Sequence, residues 1–353
     1  MTVLKLGSLF DGIGVFPLAA MHCGMEPVWA SEIEARPISI TKRHFPDMLH
    51  LGDITKISGA EIPPVDVITF GSPCQDLSQI GTRNGFGGKK SSLFYQAMRI
   101  IEEMRYATNG RYPAFCIWEN VAGAFSSNDR LDFAAMLRAF TGAEVSVPSR
   151  GWAHAGMVRG GRADTAWRLL DAQYWGEPAL VQRRKRVFVV ADFAGQRAGE
   201  VLFKPRTVLP FSAAGGPGGL SATQRGGVPA AQTGRQVPVV RPFSLRRMRT
   251  MAQVGDQKGF CASFGRGGEP FPTLLASVTS PFSFWYEGEE SDGFLRVLTP
   301  LECERLMGLP ENWTKYGCKN EEISDHARYR ALGNSIALPC AEYVMAGIAE
   351  VMN

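Results

Sequence analysis

The chain has 353 residues, of which 45% are hydrophobic, 20% charged and 10% aromatic, and a formal net charge of +4. These proportions exclude a disordered or fibrous protein, and the length exceeds what one core usually organises, so two lobes are expected. No apolar run reaches the roughly 18 residues that span a bilayer, MTVLKLGSLFDG turns to Gly and Asp too early for a signal peptide, and the seven cysteines (Cys23, Cys74, Cys116, Cys261, Cys303, Cys318, Cys340) form no metal-ligand spacing, which together point to a cytosolic protein with reduced thiols, no metal and no membrane.

Short apolar, β-branched runs predict strands at Val3 to Phe10, Pro27 to Ser31, Val65 to Phe70, Phe115 to Trp118 and Val187 to Ala191. Helical patterns alternate with them. Leu93, Phe94, Ala97, Ile100, Ile101 and Met104 recur at helical spacing after the capping residues Ser91 and Ser92. The alternation predicts a βαβ sheet with helices on both faces, in a first segment covering residues 1–193.

Near Phe193 the alternation stops, and Ala213 to Gly234 is rich enough in Gly, Pro and small residues to read as a linker. The segment 194–293 mixes Arg, Gly and aromatics without helical period, which predicts a smaller, irregular β-rich module. From Val201 to Phe260 its charges are Lys204, Arg206, Arg225, Arg235, Arg241, Arg246, Arg247, Arg249 and Lys258 against Asp256, a balance that suits a polyanion or a solvated loop surface. In the last segment, 294–353, Thr299, Pro300 and Glu302 form a capping-box start for a helix that Gly308 stops. A final helix from Leu338 to Met352 carries an apolar face and is expected to return to the first segment.

Ligands of open α/β sheets bind beyond the carboxyl ends of the strands. Those positions hold Phe10, Asp11, Gly12 and Gly14, then Glu32, Asp53, Cys74 and Glu119. Gly12 and Gly14 would let a ligand approach the backbone, and Glu32 stands about 20 residues on, where an acid can bind ribose hydroxyls. Pro17 occupies the place of the third glycine of GxGxxG, so pyrophosphate is disfavoured and an adenosine cofactor without phosphates, such as S-adenosylmethionine, fits better than NAD. Each residue also has a plain alternative: a tight turn at Gly12, a buried structural thiol at Cys74, a salt-bridge partner at Glu119.

Six segments decide between these readings: Phe10-Asp11-Gly12-Ile13-Gly14, Gly71-Ser72-Pro73-Cys74-Gln75, Glu119-Asn120-Val121, Gln182-Arg183-Arg184-Lys185-Arg186, Leu298 to Gly308, and Gly333-Asn334-Ser335. In this order and spacing they resemble the cytosine-C5 DNA methyltransferases of bacteria and phage, along nearly the whole chain. The resemblance implies a Rossmann-like, S-adenosylmethionine-dependent methyltransferase sheet with a smaller target-recognition domain at 194–293. It implies that Cys74 attacks C6 of a flipped-out cytosine, that Glu119 holds N3, and that Arg186, with Arg184, contacts O2 and the nearby backbone. Cofactor residues by the same resemblance are Phe10, Gly12, Gly14, Glu32, Ile33, Asp53, Ile54, Pro73, Leu93, Asn334 and Ser335. Ile33 stands where some relatives carry Trp, which makes the adenine face aliphatic, and three extra residues before Gln182 depart from the usual Pro-Gln junction.

The residues from Gln79 to Lys90 correspond to the family's lid. DNA contacts are expected from Gln75, Ser78, Arg246, Arg247, Arg249, Arg266 and Thr273, and Thr273-Leu274 matches the Thr-Leu pair near the end of the recognition domain. The partner implied is double-stranded DNA, with the enzyme a monomer, either solitary or paired with a cognate restriction endonuclease. The alternatives are an RNA methyltransferase acting on tRNA, a catalytically silent DNA-binding regulator and, more remotely, an NAD oxidoreductase.

Overall fold

The computed structural model describes residues 3–72, 93–204, 239–243, 273–274, 283–287 and 294–353, with 239–243, 283–287 and 294–297 described by their backbone. Its contacts divide the chain into two compact units, Met1–Leu170 with Lys185–Pro205 and Leu338–Asn353, and Asp171–Arg184 with Arg206–Ala337. Among the described residues no single helix is long and apolar enough to cross a membrane.

The first unit is built on β1 (Lys5–Leu9), β2 (Glu26–Ser31), β3 (Leu49–His50), β4 (Val67–Phe70), β5 (Phe115–Val121), β6 (Ala155–Arg159), β7 (Asp164–Asp171) and β8 (Lys185–Asp192), in the spatial order β3-β2-β1-β4-β5-β8-β7-β6. Strands β3 to β5 run parallel, β8 pairs antiparallel with β5, and β6 antiparallel with β7. Helices α1 (Val15–His22), α2 (Ala35–His44), α3 (Leu93–Ala107), α4 (Leu131–Thr141) and α5 (Ala198–Leu202) precede α6 (Pro300–Leu306) and α7 (Asp325–Asn334) of the second unit, and α8 (Leu338–Met352) closes the chain. This is the Rossmann-like α/β sheet that the sequence predicts.

Parallel strands covered on both faces read as continuous apolar runs, and all four residues of β4, Val-Ile-Thr-Phe, are buried. Against them α3 turns Phe94, Ala97, Ile100, Ile101 and Met104, and Phe94 meets Phe70, Trp118 and Phe140 at ring-centroid distances of 5.9, 6.2 and 5.9 Å. The last helix packs on α1 and α5, so closely that a Cβ at Gly347 would lie 2.6 Å from the Val201 carbonyl. Chain order reverses across β1, whose neighbours are β2 and β4, which creates a switch point at the ends of β1 and β4.

The sequence predicts irregular structure from Ala194 onward, whereas the chain turns helical at once in α5. Two carboxylates explain the difference: Asp192, fully buried, accepts from the amides of Ala194 and Arg197 and from the Arg197 guanidinium, and Asp164 accepts from Ala198 N. Neither contact is visible in local pattern. In the second unit, β9 (Val239–Phe243), β10 (Ser283–Glu287) and β11 (Phe294–Val297) form an antiparallel sheet ordered β11-β10-β9. The stretch Ala213 to Gly234 lies outside the described residues. Thr299 and Glu302 complete the predicted capping box at the start of α6.

Candidate active site

The turn after β1 carries three positive φ angles, at Phe10 (53°), Gly12 (59°) and Gly14 (78°). Glycine adopts this region freely, but phenylalanine pays for it, and the strain is held by hydrogen bonds from Asp11 N to Ser31 O (3.0 Å) and from Gly14 N to Asp11 O (3.2 Å). Glu32, just past β2, accepts from Gly12 N at 2.9 Å, Ile33 N at 2.7 Å and Glu34 N at 2.9 Å. Its carboxylate therefore takes up the amide that a phosphate would use. Nothing lies within 4 Å of where a Cβ of Gly12 would stand, so the turn is open on that side.

Asp11 adds a second acid. Its carboxylate is buried, and burial, opposed by the Ser8 and Thr41 hydroxyls and aided by the Glu32 charge, pushes its pKa up to about 7. Ile33 is 73% exposed, an uncovered aliphatic face next to Glu32. Asp53 caps the 3-10 turn Ile54–Lys56 through Oδ1, which accepts from the amide and the hydroxyl of Thr55 at 2.9 Å each, and these bonds hold the carboxyl below its ordinary value. Ser31 donates to Gly52 O at 2.7 Å, tying the ends of β2 and β3 together. Ile54 is buried in the core and Leu93, at the head of α3, packs against it.

Beyond β4 and β5 the strand period does the arranging. Successive side chains of a strand point to opposite faces, so Trp118 and Asn120 share one face and Glu119 takes the other. On the first face Trp118 Nε1 donates to Ser72 Oγ at 3.1 Å, and Asn120 Nδ2 donates to Ser72 O at 3.0 Å while its Oδ1 accepts from Val121 N at 2.8 Å. The residue two before Cys74 is thus gripped at its hydroxyl and at its carbonyl.

On the second face Glu119 forms an ion pair with Arg186, Nε to Oε1 at 3.0 Å. Glu119 lies opposite Phe188 and Val121 opposite Arg186, so acid and base are diagonal neighbours across β5 and β8. A Cβ at Gly71 would come within 3.1 Å of Glu119 Oε2, so the glycine leaves space for the carboxylate. Phe10, Gly12, Gly14, Glu32, Ile33, Asp53, Ile54, Leu93, Glu119 and Arg186 therefore all sit in the first unit, on or beside its carboxyl edge.

Arg184 belongs to the second unit. The resemblance pairs it with Arg186 at the base and the surrounding backbone, but it is 1% exposed and its guanidinium serves main-chain carbonyls, Leu274 O and Gly333 O at 2.9 Å each and Ser335 O. Its amide donates to Asp171 Oδ1 at 3.0 Å, and Thr273 donates to Arg183 O at 2.6 Å. These hydrogen bonds join Thr273-Leu274 to Gly333-Asn334-Ser335 through Arg184 and its neighbour Arg183. Pro73, Cys74, Gln75, Ser78, the stretch Gln79 to Lys90, Arg246, Arg247, Arg249 and Arg266 lie outside the described residues.

Sequence reasoning names Asp11 among the residues at the strand ends without giving it a role, and it assigns none to Ser72 or Trp118. The available signals were an acid inside a glycine turn and the strand period around Glu119.

The sequence profile of the C-5 cytosine-specific DNA methylases matches residues 4–204 and 245–350. The chain is 24% identical to the DNA N-6-adenine-methyltransferase of Escherichia phage P1, over 98% of its own length but 61% of that relative's. It is 25% identical to the Type II methyltransferase M2.BsuMI of Bacillus subtilis, over 98% of this chain and 76% of the relative. Among solved structures, the S. pombe Dnmt2 methyltransferase has the same fold, with a TM-score of 0.59, 16% identity and 99% of each chain covered.

Proposed function

From the premise that the chain belongs to the C-5 cytosine-specific DNA methylase family and is a DNA cytosine methyltransferase, we propose that it methylates C5 of a cytosine flipped out of a specific duplex sequence, with Cys74 as nucleophile. The observation that carries the reading is the Glu119–Arg186 pair, 3.0 Å apart, at the carboxyl end of β5. Carboxyl and guanidinium side by side match the N3 and O2 edge of one cytosine.

In this reading the Cys74 thiolate adds to C6, and the electron pair displaced from the C5–C6 bond moves into the ring, where a proton shared with Glu119 at N3 and the Arg186 guanidinium near O2 accommodate it. C5 becomes the nucleophile and takes the methyl group. A base then removes the C5 proton, the C5–C6 double bond re-forms and the thiolate leaves, regenerating Cys74. Unstacking the base costs a few kcal/mol, which contacts to its Watson–Crick edge offset.

The residues around the β1 turn fit S-adenosylmethionine, which when bound supplies an electrophilic methyl on a sulfonium. Glu32 would hold the ribose hydroxyls, Asp53 the adenine amino group and Ile33 the adenine face, with Phe10, Gly12, Gly14 and Leu93 around them; the resemblance adds Pro73, Asn334 and Ser335 to the set. Glu32 disfavours a pyrophosphate by like-charge repulsion and by occupying the Gly12, Ile33 and Glu34 amides that a phosphate would use, which supports this cofactor over a dinucleotide. The domain reading that accompanies it is a catalytic part at 1–193, target recognition at 194–293 and a returning segment at 294–353, with a monomer acting alone or beside a cognate restriction endonuclease.

Labelled S-adenosylmethionine is expected to label mixed-sequence duplex DNA, and Cys74→Ser to abolish the signal. DNA containing 5-fluorocytosine should trap the wild-type protein covalently. A wild-type protein that methylates adenine, or forms no adduct on 5-fluorocytosine, would overturn the assignment.

A further inference from the structure

The carboxyl edge of the first unit extends past Glu119 and Arg186 to a rim that the proposed chemistry does not use. Strand β5 leads at Val121 into the 3-10 turns Ala122–Phe125 and Ser127–Arg130. Strand β8 starts at this edge because it runs antiparallel to β5. The Ala172 amide donates to Arg184 O at 3.0 Å, so β7 ends here too, and β6, antiparallel to β7, must begin here. Residues 148–154, which lead into β6, therefore stand on the same edge as residues 122–130.

These two stretches are locked together. Trp152 Nε1 donates to Arg130 O at 3.1 Å, Arg130 Nη1 reaches Ser149 O at 3.3 Å, and Phe125 stacks on the exposed ring of His154 at 6.5 Å between centroids. Asn128, Asp129 and Arg130 are consecutive non-glycine residues with φ of 47°, 51° and 74°. Each such residue costs on the order of 1 kcal/mol, and strain of this kind persists only where the surroundings impose it. Here the fully buried Asp132 does so, accepting from Ser127 Oγ at 2.5 Å and from Asn128 Nδ2 at 3.1 Å. The strained turn carries Arg130 over Gly151, whose Cβ would be 3.6 Å from the guanidinium carbon, and Arg150 is exposed beside it. Asp129 is the exposed acid of the turn, so the cations outnumber it.

We propose that this rim, with Arg130 and Arg150 as its cations, contacts the phosphate backbone of the duplex substrate. The proposal rests on the reading of this edge as the site of methyl transfer to DNA. A rigid, arginine-bearing edge continuous with the catalytic strand binds phosphates without reading sequence, and it fixes where the duplex lies over the catalytic strand.

The test is the salt dependence of binding to a short mixed-sequence duplex, for the wild-type protein, Arg130→Gln, Arg150→Gln, their combination, and Arg111→Gln as a control at the opposite edge, where β5 begins. Each lost phosphate contact should flatten the plot of log affinity against log salt by about 0.9, so the double variant should be about 1.8 shallower than wild type. Over a fourfold rise in salt that is about a tenfold smaller loss of affinity. Arg111→Gln should leave the slope unchanged. Unchanged slopes in Arg150→Gln and the double variant, or an equal change in Arg111→Gln, would overturn the rim. Methyl incorporation by the wild-type preparation is read separately, so a failure of the methyl-transfer reading is seen as lost incorporation and not as an unchanged slope.

Discussion

Replacing Asn120 tests whether the end of β5 holds the nucleophile segment in place. Asn120 is 3% exposed and makes two hydrogen bonds, one to the Ser72 carbonyl and one from the Val121 amide. Asn120→Ala leaves the buried Ser72 carbonyl and the part-buried Val121 amide without that partner, at about 1–2 kcal/mol for each, or roughly 2–4 kcal/mol together. Against a total of 5–15 kcal/mol typical of domains the variant still folds, with a melting temperature lower by about 5–15 °C. If the Ser72 bond also fixes the segment that carries Cys74, about 1.5–3 kcal/mol is withdrawn from the transition state and kcat falls about ten- to a hundredfold. Asn120→Asp separates the two bonds, because it keeps an acceptor for Val121 N and loses the donor to Ser72 O. It should share the fall in kcat. The assay is the initial rate of methyl transfer to a target duplex identified by bisulfite sequencing, below the variants' melting temperature, with cofactor affinity measured separately. A kcat within about twofold of wild type in both variants would refute the coupling, even with the stability loss confirmed.

Two other perturbations follow from buried charges. Asp11 binds its proton up to about pH 7 in the folded protein against 3.8 in the unfolded chain. The folded state therefore holds more protons in that window, and stability is full below it and declines as pH rises through it, by on the order of 4 kcal/mol at most. Asp11→Asn should flatten this decline, raising the urea midpoint more at about pH 8 than at about pH 5, and equal shifts at both would sink the assignment. Arg184→Met abandons three buried carbonyls and should cost on the order of 4 kcal/mol, of which Arg184→Lys, lacking the planar fork, recovers only part. A midpoint shift below about 1 kcal/mol for the Met variant would show that the network is dispensable.

What the sequence disclosed depended on how local the cause was. Strand β4 was legible because burial on both faces makes it apolar throughout, and α8 because its apolar face repeats over a full 15 residues. The capping box at Thr299 needed only three residues. Glu32 could be placed by its distance from Gly12, and the bond between them spans 20 residues of a single βαβ unit. The contacts that were not legible are the long ones. Ser72 meets Trp118 and Asn120 across 46 and 48 residues, and Arg184 meets Leu274 and Gly333 across 90 and 149. No local period announces such pairs. Strand β6 was missed for another reason: its residues alternate between exposed and half-buried, so the hydrophobic signal of a core strand is absent.

The carboxyl edge of the first unit also carries its charges unevenly along the sheet, although Glu119 and Asp129 stand on the β5 side and Arg36 and Lys56 on the β2 and β3 side. Acids lie on the β3-β2-β1 side, where Asp53, Glu32 and Asp11 follow β3, β2 and β1. Guanidinium groups lie on the β5-β8-β7-β6 side, where Arg186 begins β8 and Arg130 and Arg150 stand between β5 and β6. Strand β4, which leads to Ser72 and on along the chain to Cys74, is the strand between these halves. A cation such as a sulfonium is drawn to the first half and repelled from the second, and a polyanion the reverse, because unit charges separated by several ångströms near a protein surface interact by about a kcal/mol or more. Under the proposed function this places the expected cofactor beyond β1, β2 and β3 and the expected duplex beyond β5 and β6. In the proposed reading β4, whose chain runs on to Cys74, lies between the two halves, as a methyl transfer from the one partner to the other requires.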